Sequence, residues 1–291
     1  CPGARPTSVF VRTSDLIRAM CLAGALSGAP AVMLADAPVR VVSMNLCTDQ
    51  LAMLLADQGQ LVSVSRIASD PRSSAMADQA ADYPANSGLA EEVFLMQPDL
   101  VVAGSYTARA SVDMLERLGI PVIRFKPATS LPDVRARIAQ MGDALGQESR
   151  AARMVAHFDS QLADFTAEAS THPRAALYYA NGYTSGDQTL AGQILMTAGL
   201  DNIAADAGFD AGGVIPLEVL AMAQPDTVIT SSPYPGASRS EEVQRHPVIE
   251  QLRASRPDAA LTDSDWVCGT PFVLEAIADM VALRKTLESG E

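Results

Sequence analysis

The chain has 291 residues, 48% hydrophobic and 19% charged, with a formal net charge of −13. That apolar content excludes disorder as the main state, and the length suits one large domain or two lobes, each with its own core. The acidic balance excludes a general nucleic-acid binder, which needs a positive footprint to displace counterions from phosphates.

Residues 1–37 read as a secretory signal. Arg12 and Arg18 precede an apolar stretch over residues 19–35, which ends in Ala35-Asp36-Ala37. The stretch is short and contains Pro30, which argues against a span of about 20 apolar residues. Export to the periplasm follows. Beyond the signal only Cys47 and Cys268 remain, and an oxidising compartment suggests one disulfide between them, with two unpaired thiols as the alternative.

Strand and helix patterns alternate from Val39 onward. Strands are predicted over 40–43, 61–64, 100–103 and 121–125, with helices over 49–56, capped by Thr48, and 108–118. This is α/β grammar with a mainly parallel sheet buried on both faces. A polar, amphipathic helical stretch over 131–170 breaks near Gly146. A second series then follows: strands over 175–179, 227–230 and 260–262, and helices over 192–198 and 271–287. The expected organisation is an N-terminal α/β lobe over 38–146, a single long spine helix over 147–171 and a C-terminal α/β lobe over 172–291. The halves share a phrase: residues 91–102 read EEVFLMQPDLVV and residues 218–229 read EVLAMAQPDTVI.

Enzyme motifs are missing from the sequence. There is no G-x-S-x-G elbow, no G-x-G-x-x-G after a strand and no Walker loop. His157, His172 and His246 are scattered, so they do not suggest a metal cage. Neither a catalytic residue nor a resident cofactor is expected. Open parallel sheets bind ligands beyond the carboxyl ends of their strands. The segments there carry Asn45, Arg66, Tyr106, Lys126, Tyr183 and the lone Trp266, and these six are the candidate ligand-binding residues.

The run VRVVSMNLCTDQLAMLLADQGQLVSVS, the two Glu…QPD phrases, GYTSGDQ and LTDSDW before a terminal helix resemble periplasmic substrate-binding proteins of the iron-complex and cobalamin group. The likeness runs from Val39 to the C-terminus and rests on the order of these motifs. It implies two Rossmann-like lobes, a spine helix and delivery of a small metal chelate to an inner-membrane ABC permease dimer. On this likeness Glu91 and Glu218 fall where each lobe meets a permease arginine, and Tyr183 and Trp266 fall where cobalamin binders place cleft aromatics. The expected protein is monomeric. Its cargo is ranked ferric siderophore, then corrinoid, then haem. The siderophore ranking rests on Arg66, Arg72, Arg109 and Lys126 as counter-ions, and haem would need Tyr106 or Tyr183 as axial ligand. A secreted α/β hydrolase or chelatase is the enzyme rival.

Overall fold

The computed structural model describes residues 37–166, 171–231, 238–254, 259–261 and 263–289, together with Gly3. The proposed signal therefore lies outside the described residues apart from Gly3 and Ala37. The first half runs β1 (Val41–Ser43), α1 (Leu46–Leu55), β2 (Leu61–Ser65), α2 (Ala77–Ala80), β3 (Ala85–Asn86), α3 (Ala90–Leu95), β4 (Leu100–Gly104), α4 (Arg109–Arg117) and β5 (Val122–Phe125). Its strands pair in parallel in the order β3-β2-β1-β4-β5. Such a sheet must be covered on both faces, and the apolar run of β1 and β4 divides accordingly. Val41 and Val102 pack into one apolar cluster, and Val42 and Val101 into another.

The predicted cap of the first helix needs correction. Asn45, not Thr48, caps α1: its side-chain oxygen accepts from the Cys47 amide, and the helix starts at Leu46. Thr48 is inside the helix, where its hydroxyl bonds back to the Asn45 carbonyl and to Ser43. Either residue type can cap a helix, so the local pattern alone left the start ambiguous by one turn.

Two helices follow, α5 (Leu131–Leu145) and α6 (Glu148–Thr166). The Ser130 side chain caps α5 by accepting from the Asp133 amide, and Gly146 ends it in the left-handed conformation, φ 67°. That conformation suits glycine at a helix end, and it is the predicted break. Gly142 lets the two helices close up, because a Cβ there would collide with the Ala151 methyl.

The second half comprises β6 (Arg174–Leu177), β7 (Tyr183–Thr184), α7 (Leu190–Thr197), β8 (Asp201–Asn202), α8 (Ile203–Asp206), β9 (Gly213–Val214), α9 (Leu217–Ala223), β10 (Thr227–Ser231), α10 (Pro247–Arg253), β11 (Ala259–Leu261), α11 (Asp263–Trp266) and α12 (Val273–Ser289). The main strands are again parallel, in the order β11-β10-β6-β8, while β7 and β9 form a separate antiparallel pair.

Reading β6 for β1, β8 for β2, β10 for β4 and β11 for β5 superimposes the two strand orders. The repeated Q-P-D phrase does the same job in both halves. Gln97 and Gln224 take left-handed conformations at the ends of α3 and α9, with φ 51° and 45°. Asp99 then accepts from the amides of Val39 and Arg40, and Asp226 from the amide of Arg174. The arginines return the contact: Arg40 donates to the carbonyls of Met96 and Gln97, and Arg174 to that of Ala223. Charge-assisted donation satisfies carbonyls that a helix end leaves without partners.

The halves do not keep separate inner cores, as the sequence suggests. One apolar cluster runs from Val41 and Leu55 through Ile138, Met141 and Phe158 to Leu177, Ile194 and Ile277. The helices between and after the sheets supply the joining surface, so each sheet has only its outer cluster to itself.

Candidate functional site

Beyond the carboxyl ends of the strands lie two cavities. The first, of about 220 Å³, is lined by Asn45, Gly104, Tyr106, Phe125, Lys126 and Arg137 among others, most of them just past β1, β4 and β5. The second, of about 440 Å³, is lined by Tyr179, Tyr183, Ser231, Ser240, Glu241 and Trp266, past β6 and β10. Gly104 is required at the first wall, since a Cβ there would stand 2.8 Å from the Asn45 side-chain carbon.

The segment 266–270 separates the two. Trp266 lines the second cavity, whereas Val267 and Gly269 line the first. Trp266 stacks on Tyr179 with ring centroids 5.9 Å apart and planes 17° apart. Gly269 then presses on the first half, where a side chain would collide with Ala128. Cys268 is buried and joined to Cys47 at the start of α1 by a disulfide spanning 221 residues. The strap is thus held to the second half by an aromatic stack and to the first by a covalent bond.

The structure brings most of the predicted ligand residues to these walls. Asn45, Tyr106 and Lys126 line the first cavity, with Tyr106 88% exposed; Tyr183 and Trp266 line the second. Arg66 does not join them. It lies exposed past β2 and donates to the Ser87 hydroxyl. Arg72 pairs with Asp70 and Arg109 with Asp113, and neither lines a cavity. Glu91 and Glu218 occupy the first turns of α3 and α9, both exposed.

Two lining residues escape a sequence reading. Tyr179 reads as the end of a strand, but β6 stops at Leu177, which leaves the ring free to turn into the cleft. Arg137 is on α5, far in sequence from any strand end, and only the packing of α5 beside β5 brings it to the cavity. Its Nε is buried without a hydrogen-bond partner among the described residues, as is Nε1 of Trp266. Neither position carries a local signal that could have marked it.

Next to Thr48 of the first cavity's lining in sequence, Asp49 is fully buried on α1. Burial pushes its carboxyl up to about 6, against hydrogen bonds from Ser43 and from the Ser65 hydroxyl and amide that pull it down. Desolvation wins because no cation among the described residues stands beside the carboxylate to offset it.

Among solved structures, the fold is similar to a periplasmic heme-binding protein from Roseiflexus sp. RS-1. The TM-score is 0.68 and identity 20%, covering 87% of this chain and 99% of that one. The periplasmic vitamin B12 binding protein of Vibrio cholerae is similar at TM-score 0.64 and 17% identity, over 86% and 98%. In sequence, a cobalamin-binding protein of Halobacterium salinarum is 31% identical over 206 residues, 69% of this chain. The chain spans 56% of that relative's length. The sequence pattern of the periplasmic binding protein family matches residues 41–259. With two α/β halves related by one repeated strand order and a strapped cleft between them, the chain belongs to the periplasmic binding protein family.

Proposed function

We propose that this protein captures a metal–tetrapyrrole macrocycle, a corrinoid in the first place, and delivers it to an inner-membrane ABC permease. In this reading residues 1–37 direct export to the periplasm, residues 38–146 and 172–291 act as the lobes, and residues 147–171 form the spine between them. The observation that carries the ligand class is the aromatic wall of Trp266 and Tyr179, beside the half-exposed Tyr183. Flat aromatic surface stacks well on an extended ring system and contributes strongly when buried on binding.

The ranking departs from the one the sequence suggests. A ferric siderophore bearing several anionic groups needs converging cations. Of Arg66, Arg72, Arg109 and Lys126, only Lys126 lines a cavity, where Arg137 is the one further cation among the lining residues; two cations are few for a polyanionic chelate. The 31% identity to a cobalamin-binding protein supports the corrinoid. Haem is the second reading, favoured by Tyr183, whose phenol lines the second cavity and could serve as an axial ligand.

Calorimetric titration of the purified protein with cyanocobalamin, hemin and a ferric hydroxamate siderophore tests the reading. The expected result is saturable one-to-one binding of a macrocycle, tightest for cyanocobalamin. Binding of the siderophore alone would overturn it.

A further inference from the structure

The 220 Å³ cavity of the first half has an unusual cation. Several arginines in the described structure meet acids directly: Arg124 meets Glu116, Arg135 meets Asp159, Arg150 meets Asp57 and Arg174 meets Asp206. Arg137 makes no such direct pair among the described residues, although Asp133 precedes it by one helical turn on α5, the spacing at which opposite charges commonly pair. The Asp133 carboxylate accepts from the Thr129 amide and hydroxyl, and the Arg137 charge reaches it only through space, without a direct contact. No hydrogen bond or ion pair ties Arg137 to any other described residue, and its Nε is withdrawn from solvent.

The surroundings sharpen the point. Leu51 and Phe125 give the cavity apolar walls, and Lys126 adds a second positive charge at its rim. A part-buried guanidinium whose Nε has no hydrogen-bond partner and which makes no direct ion pair carries a desolvation cost. In a chain with a net charge of −13, two cations lining one cavity, with no acidic residue among the lining, make a local exception to a field that repels anions.

We infer that this cavity is an anion subsite in which Arg137, helped by Lys126, receives an acidic arm projecting from the edge of the bound macrocycle. This rests on the macrocycle reading above. The shared chemistry is a singly charged oxyanion on a short flexible arm, either a phosphodiester or a carboxylate. Both suit the fork of an arginine, which can donate two parallel hydrogen bonds. The aromatic wall would hold the ring face and the first cavity its charged edge, so the site would read the ligand at two points.

The test uses matched ligands with and without the arm, on wild type, Arg137→Gln and Arg137→Lys. Cyanocobalamin is compared with dicyanocobinamide, which lacks the phosphodiester, and hemin with its dimethyl ester, which lacks the carboxylates. Loss of a charge-assisted hydrogen bond is expected to weaken binding of the armed ligands to Arg137→Gln about tenfold or more. The arm-free ligands should bind wild type and Arg137→Gln alike, and Arg137→Lys should recover part of the loss. The pair showing the difference identifies the arm. Equal weakening of armed and arm-free ligands, or no weakening of either, would overturn the subsite.

Should no macrocycle bind wild type, the functional reading fails, and propionate and phenyl phosphate at millimolar concentration decide the subsite by thermal shift. A stabilisation of wild type that Arg137→Gln lacks supports it, and identical responses of the two overturn it. The ligand-free melting temperature of Arg137→Gln is expected to stay level or rise, whereas a residue kept for structure alone would lower it.

Discussion

Asp49 shows how a single buried group can set the response to pH. Burial pushes its carboxyl from an ordinary value of 3.8 up to about 6 in the folded chain. The native state therefore holds the proton more tightly than the unfolded chain does. That contribution is complete below pH 3.8 and is lost as pH rises through 6, a change of roughly 3 kcal/mol. Asp49→Asn should remove this component, so that the difference in stability between the two proteins varies with pH between 4 and 7. Urea unfolding at several pH values measures it, and a constant difference would show that the carboxyl titrates normally.

Trp266 has two roles at the same scale. It packs against the shared core while one face meets Tyr179 in the second cavity. Trp266→Ala is expected to weaken macrocycle binding about tenfold or more and to cost about 2 kcal/mol of stability, less than for a fully buried tryptophan. Unchanged affinity in calorimetric titration, with a larger stability loss, would make the ring a core residue only. The sequence points to Trp266 because it follows a strand pattern closely. It could not point to Arg137, since only the docking of α5 beside β5 decides which face of that helix meets the cavity.

Among the elements, those with a strong apolar run or a clear stop signal were the legible ones. The strands over 41–43, 61–65 and 100–104, and the helix break at Gly146, lie where the pattern puts them. The short strands β3, β7, β8 and β9 have two residues each and depend on neighbours for their pairing, so they leave too little periodicity to read. The crossing of residues 266–270 from one half to the other was equally invisible, because it depends on tertiary packing. The sequence did offer a disulfide, and the structure shows what that bond holds. Closing a loop of 221 residues stabilises by roughly 5 kcal/mol in the chain-entropy model. The Cys47→Ser and Cys268→Ser double variant should approach that loss in urea unfolding and bind macrocycle more weakly, since the strap then keeps only its aromatic anchor. Full stability and full affinity together would mean the strap needs no covalent tie.

For the molecule as a whole, the shared core limits how the halves can move. A hinge between lobes with separate cores opens by parting a thin interface. Here the apolar cluster is continuous through α5, α6 and α12, so the expected response to ligand is a small adjustment about a strapped cleft. In the function proposed above, delivery would then rest on surface recognition. Glu91 and Glu218 occupy matching places in the two repeats, each near the start of a helix that ends in Q-P-D. Exposed ion pairs contribute below ~1 kcal/mol each, yet two at once can set register and association rate. The Glu91→Arg and Glu218→Arg double variant should abolish uptake in cells while leaving the affinity of the purified protein unchanged. Normal uptake would remove both residues from docking.

Trp266 is the only tryptophan in the chain, so its emission reports on the cleft wall without labelling. Titration with cyanocobalamin, followed at the tryptophan emission and corrected for absorption, should give saturable quenching. Its midpoint should match the calorimetric dissociation constant, with one ligand per chain. Calorimetric binding that leaves the emission unchanged would put the ligand elsewhere on the molecule and contradict capture in the cleft.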